Sequence, residues 1–283
     1  MARIKPVSVE HYENFPVASV LCLPRLRPAM TAIYHFARTA DDLADEGTAL
    51  ADQRLADLAT FRGDLQAVLS GREPGPRWRG LLQALSAQVR HFGLPARLLH
   101  DLLDAFEQDV HNPVYPDRAA LLDYCRRSAH PVGRLLLHLY GIGDATSLRQ
   151  SDAICAALQL INFWQDLSID GQRGRCYVPL LDQAAHGVAP AELAQCSDSD
   201  RARRLVRALT DWSEQLMLEG APLALRVPGR AGWELRLVVQ GGLRILEKIR
   251  LMDHAALSKR PRIGKTDMPL LVWRALRMAG AAR

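Results

Sequence analysis

The chain has 283 residues, of which 48% are hydrophobic and 24% are charged. This balance is ordinary for a globular protein and excludes extensive disorder, because enough apolar material is present for a core. Basic residues exceed acidic residues by five, a mild excess that suits small anions, a membrane surface or a nucleic acid. No nucleic-acid-binding motif accompanies it, so we expect no nucleic-acid partner. Five scattered cysteines without a CxxC pair exclude a disulfide framework and favour a reducing cytosol.

Apolar residues recur at three- and four-residue spacing along almost the whole chain, which predicts an all-α protein. Glycine and proline clusters separate the helical stretches, and neither strand-like alternation nor a linker is found. We therefore predict one all-α domain over residues 1–283, without a membrane-spanning helix. The predicted helices cover residues 27–43, 49–70, 79–92, 95–111, 118–140, 148–168, 200–220, 231–257 and 267–279.

The first predicted helix ends in an acidic motif. Asp41 and Asp45 are four residues apart, so they share one helix face and repel each other. They also lie at the helix C-terminus, where the macrodipole disfavours anions. A divalent cation would relieve both penalties, and Mg²⁺ is the cation that accepts few carboxylates together with phosphate oxygens. A solvated acidic helix end is the alternative interpretation.

A second polar motif follows the most apolar helix. Residues 151–165 carry apolar side chains on nearly every face, which predicts a central, buried helix. Asn162, Asp166 and Asp170 then repeat every four residues and form one polar stripe. Because buried polar groups need partners, this stripe favours a functional site over a solvated helix end.

Two such motifs on separate helices can face each other across a helical bundle, as metal-binding carboxylates do in other bundles. A diphosphate bridged by Mg²⁺ would then lie between them, with arginine planes completing its neutralisation. A di-iron site is rejected because the Glu-x-x-His pairs it needs are missing. The candidate phosphate-binding residues are Arg38, Arg173, Arg175, Tyr177, Arg260 and Lys265.

Four segments carry a resemblance to a known family. They are His11-Tyr-Glu-Asn14-Phe15 with Leu23-Pro24, Tyr34 to Asp45, Tyr124-Cys125 with Val132-Gly133, and Ala157 to Pro179. With these segments, which span nearly the whole chain, the sequence resembles the squalene/phytoene synthase family of head-to-head prenyl synthases.

The resemblance implies an isoprenoid synthase helical bundle with a central cavity, and Mg²⁺-dependent ionisation of a prenyl diphosphate. It implies catalytic roles for Asp41, Asp45, Asp166, Asp170 and Tyr177, and Mg²⁺ ligation by Asp41, Asp45, Asn162, Asp166 and Asp170. The implied substrate-binding residues are His11, Asn14, Phe15, Tyr34, Arg38, Gln159, Asn162, Gln165, Arg173, Arg175, Arg260 and Lys265.

The Gln165 and Pro131 positions, with the Glu13-Asn14-Phe15-Pro16 start, resemble the hopanoid-pathway hydroxysqualene synthases within this family. The resemblance then implies that presqualene diphosphate is ionised and its cation captured by water. Condensation of two farnesyl diphosphates to presqualene diphosphate or squalene, and a phytoene synthase-like condensation, stay as alternatives. Candidates for orienting the water are Gln159, Asn162, Gln165 and His130, and candidates for apolar walls are Phe15, Tyr34, Phe36, Leu160, Phe163 and Trp164.

Two basic amphipathic segments, residues 201–207 and 273–278, favour a solvated helix face and are also compatible with an anionic lipid surface. Beyond a prenyl diphosphate, we therefore expect as partners a peripheral membrane contact at the inner face and coupling with other squalene-pathway enzymes. A purely structural helical scaffold is the non-enzymatic alternative. The oligomeric state stays open.

Overall fold

A computed structural model describes residues 23–280, which form fourteen α-helices and two short 3₁₀ helices without a β-strand. The all-α prediction is therefore confirmed. No helix in the described range is long and apolar enough to cross a membrane. The α-helices are α1 Arg27–Asp45, α2 Ala51–Leu69, α3 Arg79–Phe92, α4 Ala96–Val110, α5 Arg118–Ser128, α6 His130–Leu139, α7 Ala145–Gln165, α8 Leu167–Asp170, α9 Leu180–His186, α10 Pro190–Ala194, α11 Asp200–Gly220, α12 Leu223–Arg226, α13 Gly229–Leu251 and α14 Met268–Gly280, with 3₁₀ turns at Gly171–Arg173 and Lys265–Asp267.

Local sequence signals account for most helix ends. The side chains of Asp117, Asp144 and Ser199 accept hydrogen bonds from backbone N–H groups in the first turns of α5, α7 and α11. Gly93 ends α3 in the left-handed conformation, with φ 63°, which glycine adopts without a steric penalty.

The predicted helix over residues 118–140 is wrong in one respect, since the chain breaks at Ala129 into α5 and α6. Pro131 lies in the first turn of α6, where its missing N–H is harmless, but within one continuous helix it would remove a hydrogen bond. The helix predicted to reach residue 257 ends at Leu251. The short helices α8, α9, α10 and α12 were not predicted, because four to seven residues carry too little periodicity.

Helix α7 lies at the centre of the molecule, as its all-round apolar pattern predicts. It packs against α5, α6, α11, α12 and α13. Trp164 is completely buried, and its indole N–H donates to the hydroxyl of Ser213 on α11 at 2.7 Å. A second apolar cluster contains residues of α1, α2, α3 and α4. In it, Phe36 stacks on Phe61 with 5.3 Å between ring centroids. The α1 end that carries the first acidic motif is therefore held by a rigid core.

An apolar cavity of about 130 Å³ lies between α1, α6, α7, α12 and α13. Leucine, valine and isoleucine side chains dominate its lining, together with Gly133, whose missing side chain leaves room for Ser151 and Cys155 on α7. The predicted central cavity is confirmed, but its predicted aromatic walls are not. Phe36, Leu160 and Trp164 lie in the protein core instead, because aromatic and leucine residues at helical spacing serve helix packing first.

Candidate active site

The first acidic motif occupies the last turn and a half of α1. Arg38 lies one turn earlier and makes ion pairs with Asp41 at 3.1 Å and Asp42 at 2.7 Å. Burial raises the pKa of Asp41 to about 6, and the neighbouring Asp45 carboxylate adds to this effect against the opposing influence of Arg38. The electrostatic repulsion between Asp41 and Asp45 that their four-residue spacing predicts is therefore present.

The second motif spans the end of α7 and the single turn of α8. Although α7 ends at Gln165, the N–H of Asp166 donates to the carbonyl of Asn162 and the N–H of Asp170 to that of Asp166. These helical hydrogen bonds preserve the predicted polar stripe. Burial raises the pKa of Asp170 to about 6, with a further contribution from the Asp166 carboxylate, while Arg175 lowers it.

Two arginines bind these carboxylates from distant parts of the chain. The guanidinium of Arg175 is hydrogen-bonded to Asp45, so a residue that follows the second motif contacts the first motif directly. The guanidinium of Arg260 forms two hydrogen bonds to Asp166, one of them at 3.1 Å. Asp45 also lies near enough to Asp170 to raise the pKa of that carboxyl. The two motifs therefore face each other, which the sequence could only suggest.

The oxygen-rich composition of this region fits Mg²⁺, which prefers carboxylate, amide-carbonyl and phosphate oxygens. Within residues 23–280, no three His, Cys, Asp or Glu side chains converge closely enough to form a preformed metal cage. A Mg²⁺ ion that keeps water or phosphate oxygens in most positions needs only one or two protein carboxylates. The candidate ligands are Asp41, Asp45, Asn162, Asp166 and Asp170, and ligation by them stays a prediction.

A half-buried acid that the sequence patterns did not reveal lies between the motifs. Asp109, at the end of α4, accepts a hydrogen bond from the Tyr124 hydroxyl at 2.8 Å, and its other carboxylate oxygen has no hydrogen-bond partner among the described residues. Burial raises the pKa of Asp109 to about 7, and Asp41 raises it further, while Tyr124 and Arg175 lower it. An acid at the C-terminal end of an apolar helix was the available signal, as it was for Asp41.

Four aromatic rings surround this acid and the second motif. Tyr177 stacks on Phe163 with 3.8 Å between ring centroids and an interplanar angle of 6°. Tyr115 and Tyr124 complete the cluster, at 5.6 Å from each other and about 6 Å from Tyr177. Phe163 and Tyr177 also line a small void with Asp170 and Arg175. The predicted site residue Tyr177 is thus beside the acidic motifs.

Other predicted residues have more definite local roles. The side-chain amide of Gln165 is buried and donates to the carbonyl of Pro261 at 2.9 Å, which fixes the segment carrying Arg260. Arg173 lies in the turn after Asp170 and lowers the pKa of that carboxyl. Tyr34 lies one turn before Arg38 on α1. Gln159 and Asn162 are half-buried on the last two turns of α7.

One predicted role is not supported by these positions, and others stay predictions. His130 lies 3.6 Å from Asp152, ten residues before Asn162 on α7, or about 15 Å along the helix at 1.5 Å per residue. It is therefore too distant to orient water near the motifs. Lys265 is exposed and makes no ion pair with the described residues, and its role in substrate binding stays a prediction. His11, Asn14 and Phe15 lie outside the described residues.

The cavity and the acidic motifs share two helices. Met30 lines the cavity on α1, eleven residues before Asp41, and Leu158 lines it on α7, eight residues before Asp166. At 1.5 Å per residue the acidic end of α7 lies about 12 Å from Leu158. The charged groups therefore lie at one end of the helices that enclose the apolar space, an arrangement suited to a long amphiphile with an anionic head.

The chain is similar to squalene-type synthases in both sequence and structure. A squalene/phytoene synthase family profile matches residues 9–267. The hydroxysqualene synthase of Rhodopseudomonas palustris is 36% identical over 85% of this chain and 80% of its own length. The presqualene diphosphate synthase of the same organism is 37% identical, but over only 57% of each protein.

Among solved structures, the squalene synthase HpnC from Alicyclobacillus acidocaldarius superposes with a TM-score of 0.78. It is 35% identical in sequence, and the match covers 86% of this chain and 90% of that one. The helical fold, the facing aspartate motifs and these similarities lead to the same conclusion: the chain belongs to the squalene/phytoene synthase family, whose members are isoprenoid synthases.

Proposed function

We propose that the protein converts presqualene diphosphate and water to hydroxysqualene and diphosphate in a Mg²⁺-dependent reaction of squalene and hopanoid biosynthesis. The observation that carries the proposal is the Arg175–Asp45 ion pair, which joins the two acidic motifs at one end of the helices that enclose the apolar cavity. The similarity to hydroxysqualene synthases over most of the chain favours this reaction over the other reactions of the family.

In this reaction the bond between carbon and the diphosphate oxygen breaks, and both electrons leave with the diphosphate. The resulting cyclopropylcarbinyl cation rearranges as the ring opens. A water oxygen then forms a bond to the cationic carbon and loses one proton. The reaction consumes no reductant, so it requires no nicotinamide.

The arginines of the site would neutralise the leaving diphosphate. Arg38, Arg175 and Arg260 already hold the aspartates, and a planar guanidinium can bind phosphate oxygens through two parallel hydrogen bonds. Mg²⁺ held by the aspartates and Asn162 would add positive charge where the leaving group develops negative charge. Stabilisation of charge that develops in the transition state is what accelerates an ionisation.

The apolar cavity and the aromatic cluster would protect the cation. Aliphatic side chains along α6, α7 and α13 exclude stray water from the prenyl chains. Phe163 and Tyr177 stack on each other beside Asp170, and the ring faces outside this stack can stabilise positive charge through their π electrons. Gln159 and Asn162, between the cavity and Asp166 on α7, are the residues we expect to orient the attacking water.

Product analysis by gas chromatography with mass spectrometry tests the reaction. Purified protein and Mg²⁺ receive presqualene diphosphate or farnesyl diphosphate, both without NADPH, in water enriched in ¹⁸O. We expect hydroxysqualene carrying one ¹⁸O from the first substrate and little turnover of the second. An unlabelled alcohol, or consumption of farnesyl diphosphate alone, would contradict the proposal.

Replacement of the central aspartate tests the site independently of the substrate. Asp166→Asn should lower kcat by at least about 10²-fold, the order seen when one charge-stabilising group is lost, and leave the thermal midpoint nearly unchanged. Asp253→Asn is the matched control, because Asp253 also pairs with an arginine but is exposed and belongs to neither motif. Full activity of Asp166→Asn would contradict the role of Asp166 in the proposed reaction.

The second candidate function is the condensation of two farnesyl diphosphates to presqualene diphosphate. The similarity to a presqualene diphosphate synthase supports it, although that match covers little more than half of the chain. The same assay distinguishes the two functions, because condensation yields a cyclopropyl diphosphate without oxygen from water.

A further inference from the structure

The C-terminal helix α14 exposes an apolar face. Leu271 and Ala275 are buried against α13, but Trp273 is 48% exposed and Leu276 53% exposed, and Val272 is exposed beside them. At 100° per residue these three side chains project from the half of α14 that faces away from α13. Exposed large apolar side chains are unusual when they cluster, and such clusters mark sites of interaction.

The same region of the chain is strongly basic. Residues 258–278 contain six basic residues and one acidic residue, Asp267. That carboxylate is buried and binds Arg244 and Lys248 of α13, so it does not offset the surface charge. Lys259, Arg262 and Arg277 are exposed and form no ion pair with the described residues. Val272, Trp273, Leu276, Lys259, Arg262 and Arg277 together define the docking surface.

The other basic segment is built differently. Arg201, Arg204 and Arg207 form an exposed stripe on α11, but Leu205 and Leu209 on the opposite side are fully buried in the core. This segment therefore presents charge without apolar side chains to its surroundings. It is a solvated helix face, and it provides a control for effects of charge alone.

We propose that the docking surface binds the surface of an anionic lipid bilayer, with Trp273 and Leu276 entering the headgroup region. A helix with an apolar face and flanking basic residues lies in the plane of such an interface, and tryptophan is enriched there. Anionic lipid supplies the complementary charge for Lys259, Arg262 and Arg277.

Two basic residues of the docking surface are sequence neighbours of residues in the candidate active site. Lys259 and Arg262 flank Arg260, which binds Asp166, and Pro261, which binds Gln165. If the proposed function holds, an amphiphilic substrate at the bilayer surface would meet the acidic end of the cavity directly. The lipid-binding proposal itself does not depend on the substrate, because binding is measured without one.

Vesicle sedimentation tests the proposal with the full-length protein. Phosphatidylcholine vesicles are compared with vesicles that also contain phosphatidylglycerol. We expect binding only to the anionic vesicles, weakened by added salt, with a blue shift of tryptophan fluorescence that is lost in Trp273→Phe. Absence of binding to either vesicle, or a blue shift retained in Trp273→Phe, would overturn the proposal.

Paired variants separate the docking surface from net charge. Lys259→Gln with Arg262→Gln should weaken binding about fivefold per charge removed, the effect of about one basic residue near an anionic surface. Leu276→Ser with Val272→Ser should weaken it further. Arg204→Gln with Arg207→Gln removes the same charge from α11 and should leave binding unchanged, whereas an equal loss there would overturn the proposal.

Thermal unfolding and light scattering test whether a variant has lost stability or whether a second copy covers the docking surface. Thermal unfolding of each variant should match the unmodified protein, because every substituted side chain is exposed. Light scattering reports whether the protein is a dimer that dissociates when Leu276 is replaced. A dimer of that kind, without vesicle binding, would show that a second copy covers the surface and would overturn the lipid proposal.

Discussion

Tyr124 and Asp109 form a buried pair in which each group depends on the other. The tyrosine hydroxyl donates to the carboxyl at 2.8 Å, and this hydrogen bond lowers the pKa of an acid that burial raises to about 7. The aromatic cluster and the acidic motifs meet at this pair, since the same carboxyl is also influenced by Asp41 and Arg175. The pair therefore holds one wall of the site in place.

Tyr124→Phe should lower the free energy of unfolding by about 1–3 kcal/mol, because it leaves a buried carboxyl without its donor. Urea denaturation measures the effect. Tyr115→Phe is the matched control, since its hydroxyl makes only a 3.3 Å contact with Gln108, and it should cost less than about 1 kcal/mol. An equal decrease in the free energy of unfolding for the two variants would show that the hydrogen bond to Asp109 stabilises the fold no more than the Gln108 contact does.

At the scale of the helices, the packing of α7 against α11 requires a glycine at the contact. A Cβ at Gly220 on α11 would lie 2.6 Å from the carbonyl of Gln150 and 2.8 Å from the backbone nitrogen of Ile154. These backbone atoms of α7 cannot shift as easily as the end of a flexible side chain could. The close approach of α11 to α7 therefore requires glycine at this position.

Gly220→Ala should lower the free energy of unfolding by about 1–3 kcal/mol, the usual cost of overpacking a core. Gly63→Ala is the control, because Gly63 lies in α2 with no atom near its Cβ position, and alanine there should stabilise by about 0.5–1 kcal/mol. Thermal or urea unfolding gives both values. A stabilising Gly220→Ala would show that α7 and α11 can separate freely.

The cavity between α6, α7 and α13 should limit the length of the prenyl chains. Leu136 on α6 is half-buried and lines the cavity, so Leu136→Trp directs a larger side chain into the open space. We expect kcat/KM for presqualene diphosphate to fall at least about tenfold, while release of diphosphate from a C10 prenyl diphosphate falls less. Leu251→Trp, at an exposed position, should change neither value.

At the scale of the whole molecule, the site lowers stability at neutral pH. The pKa values of Asp41 and Asp170 are raised from 3.8 to about 6, so between these values the folded protein binds more protons than the unfolded chain. Linkage then requires that their contribution to stability falls as pH rises through about 4 to 6. Groups selected for binding cations are commonly costly to the fold without them.

Asp170→Asn should therefore stabilise the metal-free protein, and by more at pH 7.5 than at pH 5, where the native carboxyl is largely protonated. Comparison of variant and unmodified protein at each pH cancels the opposing effect of histidines such as His130, whose pKa burial lowers. The thermal midpoints of both proteins at the two pH values measure the stabilisation by Asp170→Asn. Mg²⁺ with diphosphate should stabilise the unmodified protein but not the variant.

The sequence by itself determined the helical class, the two aspartate motifs and the family, because helical periodicity and four-residue spacing are local properties. The break at Ala129 and the short helices escaped prediction, since they depend on one proline or on packing around α7. Only the tertiary structure showed that Arg175 contacts Asp45, because 130 residues separate the two in the chain. It likewise placed Asp109 between the motifs and Phe36 and Trp164 in the core, since burial and facing are set by how helices pack and not by any one helix.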